Sequence, residues 1–404
     1  MLAAKPDFLI QKSDALFATL RNERHVALAV SGGSDSIAML RLAEQWSKGS
    51  LKLTALTVDH GLRRGAAAEA EQVAAWCAAL SIDHHTLQWQ GKKPKTGLQA
   101  KARTARYDLM TAWCARHQVG WLLTAHTQDD QAETVLMRKA RTNTVESLAG
   151  IWETTVWGGV KILRPFLGQR RSDLRSYLNR IGQAWIDDPS NDDESFERVR
   201  VRKALRGDRI ADLAKIAVNA GRASRDLETA ALAWLKQKLT IFPEGYGTVP
   251  RAAFMALAAE LQRRVLQHLI QCFGVGNRVD PGELDHISSW IRGGGQSRRT
   301  LGGAVIAGRK EILVVGREAG RISNAALQVP SSGEILWDGR FAIVALPHSQ
   351  VVAAGKIKGF ARRKDIPGFV QASLPAILLG DGTIAVPHLG IEPGVTAKFM
   401  RCLR

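Results

Sequence analysis

The chain has 404 residues, of which 45% are hydrophobic, and its 56 lysines and arginines against 38 acidic residues give a formal net charge of +18. This length predicts two or three domains, and the excess of positive charge favours a polyanionic partner, above all a nucleic acid. The four cysteines form no CxxC pair, which excludes the common zinc and redox motifs. No apolar stretch has the length of a membrane span, so we expect a cytoplasmic protein without a membrane partner.

The first chemically informative segment is His25–Leu40. Residues 25–30 (HVALAV) are a short apolar run typical of a buried strand, and a helical pattern follows residue 36. Between them lies SGGSDS, whose backbone and hydroxyl groups can donate hydrogen bonds to an anion at the start of a helix. The loop lacks the lysine of a GxxxxGK motif, and an ordinary strand–helix turn is the simpler alternative. We predict that it binds an anion such as a polyphosphate, with Asp35 available for the magnesium ion that a polyphosphate brings.

Strands and helices alternate along the first 126 residues. The predicted strands cover 25–30, 51–58, 84–89 and 121–126, and the helices between them lie near 37–46, 66–80 and 98–117. This alternation predicts an α/β fold with a doubly wound parallel sheet. Ligands of such sheets bind beyond the carboxyl ends of the strands. We therefore expect loop 31–36, Asp59, His60 and His126 to meet in one crevice.

The second chemically informative segment is 126–141 (HTQDDQAETVLMRKAR). If a helix begins near Thr127, the side chains of His126, Asp130 and Glu133 lie towards one face. Two carboxylates suit magnesium, the ammonium group of an amine nucleophile, or both. Thr127 and Asp130 could instead form only a helix cap, although a cap does not account for Glu133. We expect Asp129 to point to solvent.

An ordered set of motifs resembles the tRNA(Ile)-lysidine synthetases, a family of N-type ATP pyrophosphatases in the PP-loop superfamily. The motifs are SGGSDS, VDHGLR (58–63), ARTARY (102–107), AHTQDDQAETVL (125–136), LRPF (163–166) and WIDDPSNDD with FERVRVR (185–202). The resemblance implies ATP-dependent joining of free lysine to C2 of the wobble cytidine of tRNA(Ile), through an adenylated tRNA, with ATP and Mg²⁺ as cofactors.

The resemblance and the chemistry together imply a set of site residues. The expected ATP-binding residues are Ser31, Gly32, Gly33, Ser34, Asp35, Ser36, Asp59 and His60. The expected catalytic residues are Asp35, Arg106, His126, Asp130 and Glu133. Asp35 and Asp130 are the expected metal ligands, and Asp130 and Glu133 are expected to bind lysine, with the division between metal and lysine left open.

The chain departs from the family pattern at two places. Thr142–Thr144 stand where the family usually has a glycine-containing run, and Val199 stands where it usually has asparagine. We expect a differently shaped loop at 142–144, because threonine resists the positive φ that glycine permits. We assign no roles within 142–147. Arg198 and Arg202 remain in register with the family.

Basic residues follow the predicted sheet domain at high density. Although charge runs are usually solvated faces, we expect contacts with tRNA phosphates from Arg171, Arg175, Arg198, Arg202 and Arg206. The predicted domains are a catalytic PP-loop domain at 1–210, a mainly helical tRNA-clasping domain at 211–320 and a small α+β domain at 331–404. For the last domain we expect tRNA binding, with a stabilising appendage as the alternative. A homodimer is left open.

Two other functions compete with lysidine formation. One is a different PP-loop adenylating enzyme, such as a tRNA thiolase, a GMP synthetase or an amidotransferase. Thiolases of this type generally use paired cysteines, which this sequence lacks. The other is a catalytically inactive RNA-binding relative, an idea that the intact SGGSDS and DDQAET motifs oppose.

Overall fold

The computed structural model describes residues 8–61, 65–91, 93–94, 96–142, 144–187, 193–195, 197–274, 279–357, 363–390 and 394–401. Parts of the predicted features lie outside these ranges, namely Leu62 and Arg63 of the second motif, Asn143, residues 188–192 and 196 of the last motif, residues 360–362 in the predicted α+β domain, and the cysteine at position 402. The chain divides into two compact units, Met1–Ser224 and Arg225–Arg404. The predicted division into three domains stays a prediction.

The first unit contains the predicted alternation of strands and helices. Its elements are α1 (Phe8–Leu16), β1 (His25–Ala29), α2 (Ser34–Ser47), β2 (Lys52–Asp59), α3 (Ala66–Ala79), β3 (Asp83–Gln88), α4 (Leu98–Arg116), β4 (Trp121–Leu123), α5 (Gln128–Lys139), α6 (Val145–Leu148), β5 (Thr154–Trp157), β6 (Val160–Leu163), α7 (Arg171–Arg180) and α8 (Glu197–Ala204). The long helix α9 (Gly207–Lys238) runs across the boundary between the units.

The sheet of the first unit has six strands in the order β3-β2-β1-β4-β6-β5. Its first five strands pair in parallel, which confirms the predicted parallel sheet. Strand β5 pairs antiparallel with β6, a hairpin that the sequence patterns did not indicate. Alternate residues of β1 enter different apolar cores, since Val26 and Leu28 join one cluster and Ala27 joins another. Apolar side chains therefore cover both faces of the sheet, as a doubly wound fold requires.

The second unit combines helices with three antiparallel sheets. Its elements after α9 are β7 (Thr240–Phe242), β8 (Tyr246–Pro250), α10 (Arg251–Met255), α11 (Ala259–Phe273), α12 (Pro281–Arg292), β9 (Arg298–Leu301), β10 (Ala304–Gly308), β11 (Ile312–Arg317), β12 (Leu327–Gln328), β13 (Glu334–Trp337), β14 (Phe341–Val344), β15 (Gln350–Ala353), α13 (Gly368–Gln371), β16 (Pro375–Leu378), β17 (Ile384–Ala385) and β18 (Thr396–Phe399). The sheets have the orders β7-β8-β11-β10-β9, β12-β15-β16-β17 and β13-β14-β18.

Local sequence patterns predicted some of these strands and missed others. The sequence AVIAGRKEILVVGRE (304–318) predicts a hairpin, and the Asp-Gly pairs at 338–339 and 381–382 predict hairpin turns. The antiparallel registers of β10–β11, β13–β14 and β16–β17 confirm these predictions. The middle region is helical as predicted, but it also contains a five-stranded sheet. The glycine-rich, basic sequence of residues 293–300 predicts a loop, but its last residues belong to β9. Residues 320–330 are predicted to be a linker, but they contain β12. Strands β9 and β12 are only four and two residues long, and each forms by pairing with another strand, β10 and β15, respectively. Local sequence patterns do not reveal such pairing.

Two further findings concern membranes and thiols. No helix in the described ranges combines the length and apolar character that a membrane crossing requires. Cys77, Cys114 and Cys272 are buried, and burial raises the pKa of Cys77 to about 11 and that of Cys114 to about 12. These two thiols are therefore unreactive at neutral pH.

Candidate active site

The loop between β1 and α2 has the geometry of a phosphate-binding turn. Gly32 adopts a φ of +87°, and a Cβ atom at this position would lie 2.7 Å from Cδ1 of Ile186. The carbonyl of Gly32 accepts a hydrogen bond of 2.9 Å from the backbone N–H of Ile186. Ser36 Oγ accepts from the N–H of Ser31 at 3.1 Å and donates to the carbonyl of Gly33 at 2.9 Å. The loop is thus held in shape at the positive end of α2, where anions bind favourably.

An open cleft of about 770 Å³ lies beside this loop. Residues from five of the predicted motifs line this cleft, although their positions in the sequence extend from 31 to 202. The predicted residues that line it are Ser31, Gly33, Ser34, Asp35, Ser36, Arg106, His126, Asp130, Arg171, Arg175, Arg198 and Arg202. All predicted site residues are described, and those outside the lining are Gly32, Asp59, His60, Glu133 and Arg206.

Asp130 both caps helix α5 and faces the cleft. Its Oδ2 atom accepts hydrogen bonds from Thr127 N at 2.8 Å and Thr127 Oγ1 at 2.9 Å, and Thr127 Oγ1 in turn accepts from Asp130 N at 3.4 Å. The capping pair is therefore present. Because it uses only Oδ2, the second carboxylate oxygen, Oδ1, remains directed at arginine side chains. The two interpretations of Thr127 and Asp130 are thus compatible.

Three carboxylates and three guanidinium groups form one ion-pair cluster. Asp130 Oδ1 accepts from Arg171 Nη2 at 3.2 Å and from Arg198 Nη2 at 2.8 Å. Arg171 Nε also donates to Asp35 Oδ2 at 2.8 Å. Glu133 Oε2 accepts from Arg198 Nε at 2.6 Å. Its other oxygen accepts from Arg202 Nε at 2.8 Å.

The electrostatics of this cluster follow from burial and pairing. The Glu133 side chain is only 1% exposed, so its charge requires close partners. Although burial alone would raise the pKa of Asp130, Arg171 and Arg198 hold it well below the usual range. For Asp35, burial raises the pKa and the guanidinium of Arg171 offsets part of that effect. Burial of Arg171 lowers its pKa, but the carboxylates of Asp130 and Asp35 outweigh this effect, so the pKa of Arg171 is raised.

The arginines expected to contact tRNA occupy different environments. Arg171, Arg198 and Arg202 belong to the ion-pair cluster. On α8, Arg198 and Arg202 both donate to Glu133, and Val199 between them is buried. Arg175 donates to Ser34 Oγ at 3.2 Å and pairs with Asp187 at 3.2 Å. Arg206 is exposed.

The expectation that Asp129 points to solvent is wrong. Its Oδ2 atom accepts from the backbone N–H of Arg171 at 2.9 Å and from Arg170 Nε at 3.3 Å, and its side chain is 15% exposed. Asp129 therefore satisfies a free N–H at the first residue of α7 and positions Arg171. The partners are 42 residues apart in sequence, so spacing within one helix could not indicate this contact.

The histidines differ in their relation to the cleft. Burial lowers the pKa of His126 to about 3, so its imidazole is neutral at physiological pH, with Nδ1 3.1 Å from Thr124 Oγ1. His60 lies 3.4 Å from Arg106 Nη2, and burial together with this charge lowers its pKa to about 4. Asp59 accepts from the N–H of Gly61 at 2.8 Å and shapes that turn. A contact of Asp59 and His60 with ATP stays a prediction.

Sequence reasoning missed several residues of the cleft. Arg103 and Tyr107 lie on α4 with Arg106, and Ile186 and Asp187 follow the apolar Trp185. The i, i+3, i+4 spacing of 103, 106 and 107 was an available signal. For Ile186 no local signal existed, because its role depends on the distant Gly32.

The residues of the cleft fit magnesium bound together with a polyphosphate. No cluster of three or more histidine, cysteine or acidic side chains suited to a metal ion occurs in the described part of the chain. Magnesium, however, commonly uses one or two carboxylates together with substrate phosphates. Asp35 and Asp130 already share one cation, the guanidinium of Arg171, which shows that both can face a common positive charge.

Comparisons with known proteins identify one domain family and several similar proteins. Residues 7–208 match the PP-loop domain family. The tRNA(Ile)-lysidine synthase of Ruegeria pomeroyi is 34% identical, covering 93% of this chain and 91% of that protein. The tRNA(Ile)-lysidine synthase of Mesorhizobium japonicum is 37% identical, covering 98% of this chain and 89% of that protein. Among solved structures, the U34-tRNA thiolase NcsA of Methanococcus maripaludis with its 4Fe-4S cluster has a TM-score of 0.47 at 17% identity, covering 53% of this chain and 78% of that one.

Proposed function

This chain belongs to the tRNA(Ile)-lysidine synthase family, and we propose that it is an ATP-dependent ligase that forms lysidine by joining lysine to the wobble cytidine of tRNA(Ile). The observation that carries the proposal is the meeting of loop 31–36 with Asp35, Asp130 and His126 in one cleft. A different PP-loop enzyme or an inactive relative is not favoured, because the two synthases named above align over 91% and 89% of their own length.

The chemistry explains why a phosphate loop and acidic residues are needed together. The C2 carbonyl oxygen of cytosine is a poor leaving group, so an amine cannot displace it directly. Attack of this oxygen on the α-phosphate of ATP forms an adenylated tRNA and releases pyrophosphate. Loop 31–36 is suited to hold that pyrophosphate. The lysine ε-amine then attacks C2, and AMP leaves.

Each group of the cleft has a role in this sequence. Arg106 and Arg175 offer positive charge to the phosphates, and Asp35 and Asp130 would hold Mg²⁺, which when bound neutralises phosphate charge. Asp130 and Glu133 are the candidates to orient the lysine ammonium group. The neutral imidazole of His126 can accept the proton that the amine must lose before attack.

The basic character of the chain supports tRNA as the second substrate. Arg206 is exposed and lies just after α8, the helix that carries Arg198 and Arg202, and we keep it as a direct phosphate contact. Arg198 and Arg202 are 39% and 34% exposed, so their remaining N–H groups are candidates for contacts with tRNA, whereas the more enclosed Arg171 would have to leave its carboxylates. A homodimer, a cytoplasmic location and tRNA binding by the C-terminal region also stay predictions.

The decisive experiment is nucleoside analysis of tRNA(Ile) by mass spectrometry after incubation with the protein, ATP, Mg²⁺ and lysine. We expect a mass increase at the wobble cytidine equal to one lysine minus water, with AMP formed in equal amount. Asp35→Ala should abolish both products, whereas Glu71→Gln, at an exposed position on α3, should not. Absence of the modified nucleoside with folded wild-type protein would contradict the proposal.

A further inference from the structure

Arg171 contacts all three carboxylates of the ion-pair cluster. Its Nε lies 2.8 Å from Asp35, its Nη2 3.2 Å from Asp130 and its Nη1 3.7 Å from Glu133. These carboxylates come from α2 and α5, whereas Arg171 is the first residue of α7. The Arg171 side chain is 18% exposed, so the guanidinium group is enclosed by its partners.

The position of this guanidinium group is the one that a divalent cation would need. Asp35 Oδ2 and Asp130 Oδ1 are the two oxygen atoms that Arg171 engages. A metal ion bound by both carboxylates would compete for the same lone pairs and would be repelled by the fixed positive charge. Arg171 and a divalent cation therefore compete for these oxygens, and each weakens the binding of the other.

Helix α7 also offers Arg171 a second set of partners. One turn further along the helix, Arg175 Nε already lies 3.2 Å from Ser34 Oγ in the phosphate loop. Side chains four residues apart share a helix face, so a guanidinium group released from the carboxylates lies beside the loop. Phosphate oxygens bound there would replace the lost ion pairs with charge-assisted hydrogen bonds.

We propose that Arg171 is an internal counter-ion that occupies the cation position between Asp35 and Asp130 until Mg²⁺ arrives with ATP, and then transfers to the phosphates. The inference rests on the proposed ATP-dependent function and adds a positioning residue to it. It follows that divalent cations bind weakly to the protein alone. Nucleotide strengthens their binding because it supplies Arg171 with new partners.

The test measures binding of Mn²⁺ alone to nucleotide-free protein by electron paramagnetic resonance of the free ion. We expect Arg171→Gln to bind Mn²⁺ at least about ten-fold more tightly than wild type, which corresponds to about 1.4 kcal/mol. Arg175→Gln is the matched control, because it removes a charge from the same helix face without a contact to Asp35 or Asp130 in the described structure. Its Mn²⁺ affinity should stay within about two-fold of wild type. Adding Asp35→Asn to Arg171→Gln should abolish the gain.

Equal or weaker Mn²⁺ binding by folded Arg171→Gln would overturn the inference. If that variant fails to fold, Arg171→Lys provides the measurement, since an ammonium group keeps the charge but cannot span both carboxylates. Its Mn²⁺ affinity should exceed that of wild type, and an unchanged or lower affinity overturns the inference. Neither measurement contains tRNA or lysine, so failure to form lysidine and failure of this exchange are separate results.

Discussion

Replacing Glu133 with glutamine tests whether the ion-pair cluster holds α5 and α8 together. The Glu133 carboxylate accepts hydrogen bonds from Arg198 at 2.6 Å and from Arg202 at 2.8 Å, and it is 1% exposed. Glutamine has nearly the same shape but no charge, and its amide group can accept at one atom only. The substitution therefore weakens both contacts without creating a cavity.

The structure also limits the size of the effect. Two charge-assisted hydrogen bonds would together contribute about 3–6 kcal/mol. Arg198 and Arg202 are 39% and 34% exposed, however, so they regain contacts with water when the carboxylate is lost. We therefore expect Glu133→Gln to lower the free energy of local opening by about 2–3 kcal/mol.

Native-state hydrogen exchange with mass spectrometry measures this opening in peptides from α5 and α8. Glu71→Gln, at an exposed site on α3, should change the same quantity by less than about 0.5 kcal/mol. A double-mutant cycle with Arg202→Gln should give a coupling of at least about 1 kcal/mol. The reasoning is refuted if Glu133→Gln behaves like Glu71→Gln, or if the coupling is absent.

Three further outcomes are expected. Gly32→Ala should weaken ATP binding, measured by calorimetry, by at least about ten-fold, because the added Cβ atom would lie 2.7 Å from Ile186. Gly49→Ala is the control, since Gly49 also has a positive φ but open space around it, and ATP affinity should stay unchanged. Equal effects of the two substitutions would count against the loop geometry. His126 should show no NMR titration above pH 5, since its pKa is lowered to about 3. Its protonation on unfolding should then reduce stability as pH falls from about 6.5, and a measured pKa of 6–7 contradicts the burial argument. Affinity for tRNA should fall steeply with salt, and Arg206→Gln should reduce the slope of the logarithm of the tRNA binding constant against the logarithm of the salt concentration by about one. An unchanged slope would exclude a phosphate contact of Arg206.

Local sequence was sufficient for the features that depend on neighbouring residues. Loop 31–36 was predictable because a short apolar strand, two glycines and a helix pattern adjoin one another. The cap at Thr127 and Asp130 involves partners three residues apart, and the parallel sheet follows from the alternation of strands and helices. These are short-range effects of backbone geometry and periodicity, which a single sequence carries directly.

Tertiary structure alone decided which charged groups meet. Arg171 and Arg198 reach Asp130 across 41 and 68 residues, and Asp129 acts on α7 rather than on solvent. The sequence identified these arginines as basic and suggested tRNA as their partner. It could not reveal that they neutralise the carboxylates of the cleft, because long-range pairing depends on how helices pack against the sheet. Residue identity and spacing therefore determined which chemical groups are available, and packing determined which arginines pair with which carboxylates.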